Sequence, residues 1–284
     1  MEFWVTQSFN GISYGAMLFL LASGLSLIFG VMRVVNLAHG SYFLLGGYVG
    51  LTTVRRSGSF LLGMLSGALA VALTAIVMEA AFLRRLNKQT LAQVLMTMGF
   101  ALMFQDLALW IWGGDPNSIP VPSALAGALT VGVLVFPVYR FFIIGVAVAV
   151  GIALWLFLEK TRLGSMVRAT VDDREMAEGV GIDVPTVSMA TFALGAFLAA
   201  LGGVVGGGFL GVYPGLDFEV LPYAFVVVIL GGLGSLPGVV VGSLLVGLLD
   251  NFGKALFPEL SYFTLFAPMA LILALKPTGL FGRA

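Results

Sequence analysis

Read by the spacing of its polar positions, the chain is a series of long apolar stretches parted by short polar breaks. Eight of these stretches carry no Asp, Glu, Lys or Arg: Phe3–Met32, Val34–Val54, Ser57–Met78, Gln89–Gln105, Phe141–Leu158, Val184–Leu216, Val220–Leu249 and Leu260–Leu275. A helix needs roughly 20 apolar residues to cross about 30 Å of hydrocarbon, and the runs suit that length. None alternates with a period of two. A helix also satisfies its backbone within itself, so the pattern predicts helices rather than a barrel. The expected fold is an all-α polytopic membrane bundle, one transmembrane domain over 1–284, with eight to ten spanning helices and at least one of them broken.

The first span is expected at about Phe9–Met32, serving as its own insertion signal. Its Gly11 and Gly15 are spaced for close helix packing. The next segment, RVVNLAHGSYFLLGGYVG, sets Asn36, His39, Gly40 and Ser41 where an apolar helix belongs. Polar groups at such depth face the bundle interior or a wet cavity. Two readings stand. Asn36 caps a helix start and His39 is merely hydrogen-bonded, or both line a polar passage together with Thr97 and Gln105 of the fourth span. The third span, about Ser59–Phe82, ends in Arg84, Arg85 and Lys88, a cluster expected on the cytoplasmic side. The fourth, Leu91–Trp112, returns outward with Trp110 and Trp112 at the interface.

Residues 113–139 form a proline-rich outer loop in which Leu129, Val131, Val133 and Val135 alternate as a short hairpin would. Span five, Phe141–Leu158, comes back to the cytoplasm; Arg55 and Arg56 then fall on the outer face, against the positive-inside pattern. Span six, Val187 to about Leu210, carries the small-residue pairs Gly202/Gly206 and Gly203/Gly207, and Asp217 and Glu219 follow in a short outer loop. The run Leu221–Leu249 is too long for one straight crossing. Its centre, GGLGSLPG, places Gly231, Gly232, Gly234, Pro237 and Gly238 as a helix break. It is one bent span or two half-spans. A last span at about Tyr262–Leu275 precedes Lys276 and Arg283, which favour an inside carboxy terminus.

One stretch breaks the apolar rule. Between Glu159 and Asp183 stand 10 of the chain's 28 charged residues, counting 14 cations and 14 anions overall. They include Arg168, Asp172, Asp173, Arg174, Glu175 and Glu178, with Ala177 and Gly181 among them. So polar a segment between two membrane spans stays in water and offers another protein a handle.

Composition narrows the chemistry. With 60% hydrophobic and 10% charged residues and mean hydropathy +1.07, the chain is far from the soluble norm of about 25% charged. Zero net charge gives no footing for nucleic acid. No cysteine and one histidine exclude disulfides and a metal centre of the usual ligand types. The chain has no phosphate-binding loop of its own and no catalytic triad.

The charged stretch, with Glu175, Ala177 and Gly181, is similar to the EAA-type loop of ABC-importer permeases. VVNLAHGSYFLLGGYVG, TMGFALMFQD, GGLGSLPGVVVGSLLVG and the closing KPTGLFGR, in that order, resemble the permeases of branched-chain amino-acid ABC importers, the LivH type. The resemblance spans nearly the whole chain. It implies a multi-pass bacterial or archaeal inner-membrane importer subunit that is not itself an enzyme. It implies a second homologous permease, two cytoplasmic ATPases holding ATP and Mg, and an external solute-binding protein. The charged loop would be the coupling helix gripped by an ATPase. Asp106 departs from the Asn expected after Gln105. An ion-coupled secondary transporter is the rival reading, but it needs buried carboxylates. The solute stays open among branched-chain amino acids, urea, amides and carboxylates.

Overall fold

The computed structural model describes residues 1–86 and 89–282; Lys88 and Arg283, two of the cations that orient the chain by sequence, lie outside the described residues. The chain forms α1 (Glu2–Met32), α2 (His39–Ser57), α3 (Phe60–Ala81), α4 (Thr90–Trp112), the strands β1 (Ala128–Val131) and β2 (Leu134–Pro137), then α5 (Val138–Lys160), α6 (Arg162–Asp172), α7 (Arg174–Gly179), α8 (Val184–Gly207), α9 (Leu216–Gly231), α10 (Leu236–Leu256) and α11 (Ser261–Leu275). Among the described residues, six helices are long and apolar enough to span a bilayer: α1, α3 extended by a 3-10 turn to Leu86, α4, α5, α8 and α10. The shorter or more polar α2 and α9 fill the bundle between them, and α11 lies against α9 and α10 with much of its surface exposed. The all-α membrane bundle expected from sequence is the observed architecture.

Helices α1 and α8 form its centre. Both are apolar all round and buried along most of their length, whereas α4 and α5 expose most of theirs to lipid. Helix α1 packs on α8 and α10, and α8 also takes α2 and α3. Lipid is as apolar as these interfaces, so close packing and polar contacts hold the helices together rather than exclusion from water. The glycines supply the close packing. At the α1–α8 crossing, a Cβ on Gly195 would sit 2.7 Å from the Gly24 carbonyl oxygen. The two small-residue pairs of α8 serve different neighbours. Gly202 and Gly206 face Leu20 and Met17 of α1 and the Phe43 ring of α2 between them, while Gly203 and Gly207 face the Phe43 backbone and Ile119 of the loop before β1. Gly11 and Gly15 receive α10 at Leu248 and Ser243.

The outer loop contains the expected hairpin. β1 and β2 are antiparallel, with Val131 opposite Leu134 across a turn at Gly132, where φ is 63°. The loop is pinned to the bundle by Asn117 and Val212, whose backbones exchange hydrogen bonds of 2.9 and 2.6 Å. Arg55 Nη2 donates to Asn117 Oδ1 at 2.8 Å, which is how this outer-side cation is held.

The long run Leu221–Leu249 is two helices in an antiparallel hairpin, not one bent span. Gly232 ends α9 with φ 104°, a conformation that only glycine adopts without strain. Ser235 caps α10 by accepting from the Gly238 N–H at 3.2 Å, with Pro237 in the first turn. The chain's last described residues fold back on the break: Leu280 N–H donates to Leu230 O and Phe281 N–H to Gly231 O, both at 2.9 Å.

Candidate functional site

The charged stretch becomes two short helices with a defined seat. Thr161 caps α6, its Oγ1 accepting from the Gly164 N–H at 3.0 Å. Asp173 separates the helices and caps α7 by accepting from Met176 N–H at 3.0 Å. Asp183 caps α8 through the Thr186 amide at 3.3 Å. One face of α6 is apolar. Val167 is buried with Val31 of α1 and Val187 of α8, and Met32, Leu158, Val171 and Ile182 pack around them. Arg168 pairs with Glu159 at 3.0 Å and also donates to the Leu158 carbonyl. These contacts moor α6 to the ends of α1, α5 and α8. Val171 also touches the place where Gly30 of α1 meets Gly234 of the α9–α10 linker.

The outer face of the pair is mixed. Asp172, Asp173, Glu175, Glu178 and Gly181 are exposed, Ala177 is buried, and Arg174 pairs with Glu178 one turn on at 3.3 Å. Apolar side chains stand among them: Met176 is 64% and Val180 71% exposed. Asp173 is thus a structural cap as well as a charge, a role hidden in the sequence. Beside the seat, a cleft of about 910 Å³ opens between α1, α5, α6 and the α9–α10 linker, bordered by Gly30, Arg33, Trp155, Arg168 and Ser235.

The second candidate is the polar interior. Arg33 ends α1 in the left-handed region, φ 53°, with its N–H on the Phe29 carbonyl at 2.8 Å. Residues 34–38 then run without helix, and Val34, Asn36 and Ala38 are buried. Irregular backbone at such depth is tolerated only inside protein or beside a cavity. Its amides are met by side chains: Ala38 N–H donates to Asn36 Oδ1 and Leu37 N–H to Thr97 Oγ1, each at 3.1 Å. Asn36 therefore tightens the turn before α2, and the cap position is Ala38, which offers no side-chain bond; the reading of Asn36 as helix cap is corrected. His39 Nε2 lies 2.9 Å from the Leu21 carbonyl, midway along α1, so that nitrogen carries the proton.

The amino-terminal turns of α2 and α9 meet here. Ser41 Oγ donates to Asp217 Oδ2 at 2.8 Å. Asp217 is buried in the first turn of α9, at the positive helix end, and not in an outer loop as the sequence suggested. The reason is that residues 208–216 turn inward after α8, a course that no periodicity announces. Asn36, His39 and Thr97 share this patch, and Gln105 lies beside Gly215 at the approach to α9. Asn36 Nδ2, His39 Nδ1, Tyr48 Oη and Asp217 Oδ1 are buried without a hydrogen-bond partner among the described residues.

The structure thus defines a multi-pass helical membrane protein with a polar interior and a water-side helix pair moored to it. The chain belongs to the family described as branched-chain amino acid transport system / permease component, which it matches over residues 7–275. It is 30% identical to the high-affinity branched-chain amino acid transport system permease protein LivH of Escherichia coli K12, over 99% of this chain and 96% of that protein. It is 28% identical to the corresponding protein BraD of Pseudomonas aeruginosa, with the same coverage. A probable LivH permease of the archaeon Methanocaldococcus jannaschii is 26% identical, over 85% of this chain and 78% of that protein.

Proposed function

We propose that the chain is one permease subunit of an ATP-driven importer of branched-chain amino acids or a closely related small polar solute. Membership of the permease family along nearly the whole chain carries this reading. The full machine would pair it with a second homologous permease, two cytoplasmic ATPases that hold ATP and Mg, and an external solute-binding protein. Hydrolysis belongs to the ATPases.

In this reading α6 and α7 are the coupling element. The ATPase grips the exposed Met176 and Val180 with the carboxylates Glu175 and Glu178 around them, an apolar anchor in a charged rim. A push on α7 passes to α6, and from Val167 and Val171 into α1, α8 and the α9–α10 linker. The patch of Asn36, His39 and Thr97 belongs to the passage, its unpartnered atoms offering brief hydrogen bonds to a solute rather than a tight site. Selectivity then rests mainly with the external binding protein.

The test is a surface exchange that spares the fold. Glu175→Lys with Met176→Glu should reduce uptake by reconstituted importer at least tenfold, while membrane insertion stays normal and the ATPases co-purify less. Asp173 is left alone because it caps α7. Uptake at the wild-type rate in the double variant would overturn coupling through this face.

A further inference from the structure

At the end of the bundle remote from α6 and α7, helices α1, α9 and α10 and the connection before α9 bring six polar side chains together. Lys254, in the last turn of α10, pairs with Asp250 one turn earlier, Nζ to Oδ2 at 2.8 Å. The same ammonium stands 5.7 Å from the Tyr14 ring and 5.5 Å from the Tyr223 ring. Those rings meet edge to face at 5.9 Å. Exposed Glu219, one helical turn before Tyr223 on α9, accepts the Tyr213 hydroxyl at 2.7 Å. The other Asp250 oxygen, Oδ1, is buried and has no hydrogen-bond partner among the described residues.

Two carboxylates and one ammonium leave this corner with a surplus negative charge. Carboxylates beside tyrosine faces are a set that holds an organic ammonium. Lys254 is such an ammonium, on a flexible tether, its side chain 53% exposed. We propose that the corner is an entry site for the α-ammonium of a zwitterionic amino acid and that Lys254 is its tethered, displaceable occupant. The incoming ammonium takes the place against Asp250, Glu219 and the two rings. Lys254 swings out and pairs with the solute's carboxylate. The buried Asp250 carboxylate thus faces an ammonium before and after the exchange. A permanent Lys254–Asp250 pair would leave Asp250 Oδ1 without a partner and Glu219 without a cation among the described residues. The proposal rests on the amino-acid reading above and adds where the solute is first held and by which groups.

The experiment follows acylation of Lys254 by a small amine-reactive reagent in the detergent-solubilised importer, quantified by mass spectrometry, with Lys160 and Lys276 as internal controls. L-Leucine at twice its dissociation constant should slow acylation of Lys254 by about threefold and leave the controls unchanged. Isoamylamine, which lacks the carboxylate, and isovalerate, which lacks the ammonium, should protect less. The exposed Glu219→Gln substitution should weaken protection by leucine without disturbing assembly. Acylation unaffected by leucine, equal protection by isovalerate, or a Lys254 unreactive throughout because the second permease covers it would each overturn the site. Leucine uptake by the same importer, reconstituted into sealed vesicles, is scored separately. Uptake without protection sinks only the site, whereas neither uptake nor protection sinks the amino-acid reading with it.

Discussion

Single side chains decide how the interior holds together. Asp217 Oδ2 has one side-chain donor, Ser41, and that bond joins the first turns of α2 and α9. Ser41→Ala leaves a buried carboxylate short of a partner, so we expect a loss of about 1–3 kcal/mol, read as a lowered midpoint in thermal unfolding of the purified permease. Asp217→Asn on the Ser41→Ala background should return most of that loss, because an amide is cheaper to bury than a carboxylate; a midpoint unchanged in Ser41→Ala alone would show that the bond contributes nothing. Asp183 behaves differently because it lies in water at the start of α8. The Thr186 hydroxyl first, then the Thr186 amide, hold its carboxyl below the usual carboxylate range. The sign follows: a depressed folded value stabilises above the ordinary pKa, and the gain vanishes as pH falls through the folded value. The thermal advantage of wild type over Asp183→Ala should thus persist at pH 7 and 5 and shrink only below the carboxylate range; an advantage that grows on acidification would refute it. Asn36, His39 and Thr97 could be picked out in the sequence because polar residues stood in apolar runs. Asp217 was misplaced because only tertiary structure reveals that its loop turns into the bundle.

Elements were more legible than residues wherever length and charge defined them. The long apolar helices, the α6–α7 insert and the outer hairpin are all visible as runs, gaps and alternation. The form of the α9–α10 region was not, since glycines and a proline permit a bend or a full break equally. Backbone conformation resolves it. Gly232 at φ 104° turns α9 into a hairpin with α10, and a Cβ there would run into the backbone of Phe281 and Gly282. Gly232→Ala should therefore cost about 1–3 kcal/mol in strain alone and free the segment after α11, detected as faster proteolysis at residues 276–282. Pro237→Ala should be nearly neutral, because a proline in the first turn of α10 only presets a dihedral. Equal damage from both substitutions would place the constraint in packing rather than in the turn.

For the whole molecule the question is whether α6 moves against the bundle or with it. Val167 packs between Val31 and Val187, so α6 is attached to α1 and α8 by a small apolar contact, and to α5 by a half-exposed ion pair, Arg168 with Glu159. Exposed pairs contribute little, about 0–1 kcal/mol, and three valines bury far less than the α1–α8 core. The seat is therefore a weak joint between α6 and the helices α1 and α8, and a lever can work at such a joint. The chain has no cysteine, so a pair introduced at Val167 and Val187 is unambiguous. Oxidising Val167→Cys/Val187→Cys in the assembled importer should stop uptake while basal ATP hydrolysis by the partners continues, and reduction should restore uptake. Continued uptake with the disulfide formed would mean that α6 and α8 travel as one body, and the switch would then have to lie at the α9–α10 linker, which Val171 touches directly.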